Sequence, residues 1–171
     1  MDEPPKDSKN IPAGRWTHPA VILATGFWLG RSPIMPGTVG AILGVPLAWA
    51  IILIPAVAIQ IPIIVAICLL GIPICTIAAR RLGNLKDPGC IVLDEIASLP
   101  ITFFLVPPDA FQRPWVIVAA FVLHRIFDIT KPPPAPQLER LPEGLGIMAD
   151  DWSAGVYSCL ALHAILWAGW I

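Results

Sequence analysis

Between Ser32 and Ala79 the chain carries no charged residue. A run of that extent must be kept from water along its whole length, and 171 residues leave too little else to wrap it. A bilayer is the shield that remains. Composition agrees, with 56% of residues hydrophobic and 13% charged and a mean hydropathy of +0.75. The expected fold class is all-α, a multi-helix integral membrane protein. Residues 1–14 read as a disordered, cytoplasmic, polar tail, and residues 15–171 as a single membrane-embedded domain. The start of the chain lacks a basic stretch leading directly into an apolar core, so it does not look like a cleaved signal peptide.

The apolar segments divide unevenly. Pro19 to Gly30 is short, with Gly26 and Gly30 spaced for close helix packing. Arg31 to Thr38 contains two prolines and a glycine; it is expected to be a non-helical loop, with Thr38 capping the next helix. Val39 to Ala58, interrupted at Pro46 and Pro55, and Ile61 to Ala79, carrying Pro62 and Pro73, each approach the length needed for a bilayer core of roughly 30 Å. Arg31, Arg80, Arg81 and Lys86 put both ends of this hairpin on the cytoplasmic side. Ile96 to Pro108 and Pro114 to Phe127 are too short for comfortable spans and suggest a re-entrant or tilted pair. Arg125, Lys131 and Arg140 bring the chain back to the cytoplasmic face. Ser153 to Ile171, apolar apart from His163, is expected as the last span.

Five carboxylates stand at the borders of these segments: Asp94, Glu95, Asp128, Asp150 and Asp151. Ionised groups beside apolar runs are costly unless they pair or bind a cation, and carboxylates suit hard cations. Adjacent Asp94 and Glu95 would point about 100° apart on a helix, so both reach one ion only if it lies close to the backbone; a plain acidic helix start is the alternative. Arg125, Asp128 and Lys131 recur at i, i+3 and i+6, sharing one face if the helix continues to Lys131. Such a face suits a metal and a phosphate together, or else a salt-bridged helix end. His124 is expected to pack. Gly144 and Gly146 permit an irregular turn, after which Asp150 and Asp151 precede an apolar helix; one cap needs only one Asp. The net charge of −1 excludes a nucleic-acid role, since no basic stripe exists to neutralise a phosphate backbone. Cys68, Cys75, Cys90 and Cys159 show no CxxC pairing and read as free thiols.

Four stretches in this order resemble the phosphatidylglycerophosphatase A family. They are Ser32 to Gly40 (SPIMPGTVG), Ile91 to Glu95 (IVLDE), His124 to Pro132 (HRIFDITKP) and Gly146 to Gly155 (GIMADDWSAG). Three positions depart from the family pattern: His124 stands where Phe is usual, Pro133 where Trp is common, and Ser98 where Gly is frequent. None removes a charge. The resemblance implies a Mg²⁺-dependent, multi-pass lipid phosphatase of the bacterial inner membrane, with its active-site loops on the cytoplasmic side. It would hydrolyse phosphatidylglycerophosphate to phosphatidylglycerol and phosphate.

On that reading Asp94, Glu95, Asp128, Asp150 and Asp151 are the catalytic carboxylates and the ligands of one or two Mg²⁺. Arg125 and Lys131, with Ser32 and Thr38 of the loop, would hold the substrate phosphate. A metal-activated water and an aspartyl-phosphate route both stay open. The expected partners are the lipid substrate and the membrane, with no nucleic acid; a homo-oligomer is compatible. A CDP-alcohol phosphotransferase and a type 2 phosphatidic-acid phosphatase lack their motifs here. A small cation transporter would carry its carboxylates at mid-membrane, whereas these lie at segment ends. A non-catalytic membrane scaffold, with the acids as interfacial caps, is the remaining alternative.

Overall fold

The computed structural model describes residues 13–83 and 88–170. Most of the expected tail, and Lys86, lie outside that range. The described residues form helices and no strand. Short 3₁₀ turns at Ala13–Arg15 and Leu29–Arg31 flank α1 (Pro19–Ala24). Then follow α2 (Pro36–Ile52), α3 (Val57–Arg81), α4 (Leu93–Thr102), α5 (Pro108–Phe111), α6 (Pro114–Thr130), α7 (Ala135–Leu138) and α8 (Glu143–Trp167).

Several boundaries differ from the sequence expectation, and those of α2 and α8 bear on the site. Pro36 opens α2, because a fixed φ and a missing amide suit the first helical position. Left-handed Met35, at φ 47°, turns the chain into it. Pro36, Gly37 and Thr38 are therefore the first helical turn, and Thr38 is not the cap. α2 passes through Pro46 and stops at Ile52 after 17 residues, short of Ala58. α8 starts at Glu143, ten residues earlier than Ser153, so Asp150 and Asp151 lie two turns inside an unbroken helix. They cap nothing.

α4 is the buried centre. Over ten residues it hides Ala97, Ser98, Leu99, Pro100 and Thr102, packed chiefly between α2 and α8. Its far end meets Phe103, Phe111, Val116 and Leu162 in one apolar cluster. Met148, Cys75, Leu82 and Val21 form a second cluster where α8 meets α3 and α1. α8 and α3 approach closely at Gly144, where an added Cβ would stand 2.1 Å from the Ile72 carbonyl oxygen. There the Gly144 amide donates to Thr76 Oγ1 at 3.0 Å, and Arg80 pairs with Glu143.

α3 spans 25 residues, about 38 Å at helical rise. Among the described residues it is the one helix long and apolar enough to cross a membrane. Its outer face leaves Ile61, Val65, Leu69 and Leu70 exposed, and α6 and α8 expose Val118, Val122, Val156 and Leu160. Exposed apolar surface on three helices is more than a water-facing domain commonly presents.

Candidate active site

The start of α4, the end of α6 and the interior of α8 supply the charged residues that the sequence singles out. The first turn of α4 carries Asp94 and Glu95. Its entry is anchored by the Val92 amide donating to Ala24 O at 2.9 Å. Asp94 Oδ1 accepts the Glu95 amide at 3.0 Å, so this carboxylate serves the helix start as well as the site.

Arg125 of α6 reaches Glu95 Oε1 at 3.3 Å and Asp128 Oδ2 at 2.8 Å. Directly above them lies the start of α2. An added Cβ at Gly37 would fall 2.0 Å from Glu95 Oε1 and 3.2 Å from an Arg125 nitrogen. A side chain at this position of the PGT turn would push the Glu95 carboxylate out of its place. The amides of Gly37 and Thr38 belong to the first helical turn, where a helix offers no internal acceptor.

Lys131 takes a different path from the one that its i+6 spacing suggests. α6 ends at Thr130, and Lys131 closes it in a left-handed conformation at φ 44°. The side chain consequently leaves the Arg125–Asp128 face. Its Nζ donates to Asp150 Oδ2 at 2.8 Å and Glu139 Oε2 at 3.0 Å. The single cationic face expected from sequence is thus two ion-pair clusters, one on Arg125 and one on Lys131. Glu139 is a member that sequence reasoning missed. It is brought back by α7 after a run of prolines, where no periodicity signals it.

Asp151 sits between the clusters and is 3% exposed. Burial, and then the charges of Asp94, Asp128, Glu95 and Asp150, hold its carboxyl well above the usual range. Burial likewise pushes the Glu95 carboxyl up to about 7, with Arg125 pulling it down and Asp128 adding to the rise. Crowded acids favour the protonated form until a cation compensates them.

Of the two remaining candidates, Ser32 engages its own loop, donating to Ile34 O at 2.8 Å. Thr38 has a buried hydroxyl that meets no hydrogen-bond partner. His124 packs, as expected. It is fully buried, with Ser98 Oγ 3.2 Å from Nε2 and Thr102 Oγ1 3.0 Å from Nδ1. The two departures His124 and Ser98 are therefore in contact, and each supplies the other's polar partner.

The donor set fits a hard divalent cation in kind: carboxylate oxygens in excess, with Glu95 Oε2 and Asp151 Oδ2 buried and without hydrogen-bond partners. Among the described residues no three such side chains close on a common point, since Arg125 and Lys131 hold several of them.

The family model for phosphatidylglycerophosphatase A matches residues 22–166. The phosphatidylglycerophosphatase A of Escherichia coli is 36% identical over 152 residues, covering 88% of this chain and 86% of its own length. That of Haemophilus influenzae is 37% identical over 151 residues, covering 86% and 89%. A Bacteroides thetaiotaomicron protein named "Putative phosphatidylinositol-3-phosphatase" is 36% identical over 154 residues, covering 86% and 93%. No solved structure matches the chain. The aligned length runs through all four motifs and all five clustered carboxylates, and this chain belongs to the phosphatidylglycerophosphatase A family.

Proposed function

We propose that this protein is a Mg²⁺-dependent lipid phosphatase that hydrolyses phosphatidylglycerophosphate to phosphatidylglycerol and phosphate, at the cytoplasmic face of the bacterial inner membrane. The observation that carries the reading is Asp151, a buried carboxyl that feels four other carboxyls, two of which, Asp128 and Asp150, are paired with Arg125 and Lys131. Acids and bases in that mixture suit a phosphate and a divalent cation held side by side. The named family relatives support the substrate, and the long apolar α3 supports membrane residence.

The residues divide the work as follows. Arg125 presents a planar fork suited to two phosphoryl oxygens, and Lys131 a point charge. The first-turn amides of α2 and the Thr38 hydroxyl add donors at a helix end that favours anions. Glu95, Asp128, Asp150, Asp151 and Asp94 would hold the cation, which when bound supplies charge neutralisation at the phosphoryl group and a more acidic water. A carboxylate freed from its cationic partner can take up the proton of the attacking water. Ser32, occupied with its loop, acts by shaping the approach to α2.

The test is phosphate release from phosphatidylglycerophosphate by detergent-purified protein, with Mg²⁺ and with EDTA. Release should need Mg²⁺, and Asp128→Asn should lower turnover by at least about a hundredfold while still inserting in membranes. Retained activity in that variant would sink the site assignment. The Bacteroides relative, equally similar, motivates a second reading in which the headgroup is phosphoinositide. Running phosphatidylinositol 3-phosphate in parallel decides it by the ratio of kcat/KM values.

A further inference from the structure

Beside the carboxylate cluster lies a groove of about 330 Å³, within the range of ligand pockets, roughly 300–1,000 Å³. Its walls are entirely apolar. Val65, Cys68 and Leu69 of α3 form one side; Ile101 of α4, Phe104 just beyond it and Trp152 of α8 form the other. The catalytic reading uses none of them.

We propose that this groove seats an acyl chain of the lipid whose phosphate is held by Arg125 and Lys131, an inference that rests on the lipid-phosphatase reading above. Three features select that occupant. The groove and the site share two helices, since Trp152 follows Asp151 in α8 and Ile101 lies six positions beyond Glu95 in α4. Six residues of helix rise about 9 Å, comparable with the headgroup layer of one leaflet, about 5–8 Å. A lipid anchored by its phosphate would therefore begin its hydrocarbon where the groove begins. The walls present no polar surface to the groove, with Cys68 Sγ turned to the Ala97 carbonyl oxygen and Trp152 Nε1 buried, which disfavours a headgroup or sugar and admits hydrocarbon. Finally, the groove opens along α3, where Val65 and Leu69 are 48% and 55% exposed, so a chain enters sideways from the bilayer.

The deciding measurement is kcat/KM for phosphatidylglycerophosphate carrying dioleoyl or dihexanoyl chains, with the full-length protein in detergent. Val65→Trp fills the groove from an exposed position. It should lower kcat/KM for the dioleoyl lipid about tenfold, mainly through KM, and leave the dihexanoyl lipid within about twofold. Val122→Trp, equally lipid-facing on α6, should change neither. Leu69→Ala widens the groove and should raise the preference for longer chains. It also serves as the deciding variant if Val65→Trp fails to fold.

Unchanged chain-length profiles in both groove variants would overturn the proposal and leave the phosphatase reading intact. So would a shift in oligomeric state without a shift in profile, which would assign the groove to a second copy of the chain. Wild-type protein that releases phosphate from neither lipid would remove the phosphatase reading and this proposal together.

Discussion

Gly37 is where the site has least room. Its missing side chain lets the first turn of α2 press on the Glu95 carboxylate and the Arg125 guanidinium at once. A methyl group there would meet the flexible end of Glu95, so the fold can yield by moving that carboxylate away. Gly37→Ala should therefore leave thermal stability nearly unchanged and lower kcat about a hundredfold, the scale on which a displacement of about 1 Å costs activity. Loss of stability with activity retained would show that the contact is merely structural. Of the candidate site, the nearness of the carboxylates is legible in the sequence: Asp94, Glu95, Asp128 and Asp150 all act on the buried Asp151, though no three of the five close on a common point. Lys131 was not placed correctly, because a helical repeat says nothing about the left-handed residue that ends the helix. Glu139 escaped altogether because a contact made across a proline turn leaves no period.

At the scale of elements, the errors came from reading glycine and proline as breakers. Pro36 starts a helix instead of preventing one, and Gly144 and Gly146 lie inside α8 because neighbouring backbone approaches there. At Gly144 the neighbours are the Ile72 carbonyl oxygen and the Thr76 amide, 2.1 and 2.6 Å from an added Cβ. Backbone in a packed helix cannot swing aside. Gly144→Ala should thus destabilise the protein by about 3 kcal/mol, the upper part of the usual overpacking range, through loss of the α3–α8 contact. Gly89→Ala, with nothing within 4 Å, should leave the unfolding midpoint in detergent where it is. Equal effects at the two positions would contradict the packing account. The order of the six longer helices is readable from apolar runs, but the four-residue α5 and α7 are not, nor is the short, buried α4 as the centre of the bundle. Its apolar run looks like half a span, and only tertiary contacts reveal it as core.

For the molecule as a whole, the crowded acids make stability depend on pH in an unusual direction. Glu95 titrates near pH 7 in the folded, metal-free protein and near 4.5 when unfolded. Between those values the unfolded chain loses a proton that the folded chain keeps, so stability falls as pH rises. Asp151, shifted the same way, adds to the trend. In EDTA the unfolding midpoint should drop from pH 6.5 to pH 7.5, above the range in which His124, kept neutral by burial, gives the opposite slope. Added Mg²⁺ should raise it more at pH 7.5 than at pH 5, since protons and cation compete for the same oxygens. A midpoint that rises across this interval in EDTA would refute the assigned shifts.

Arg125 on Asp128 and Lys131 on Asp150 also make the ligand-free protein an inner salt. Each base covers an acid, and neither charge is left bare. An anion that draws the two bases toward itself uncovers the acids, and a cation that covers the acids sets the bases free. If both guests of the proposed function bind here, each would prepare the place of the other, and by reciprocity each would strengthen the other's binding by the same factor.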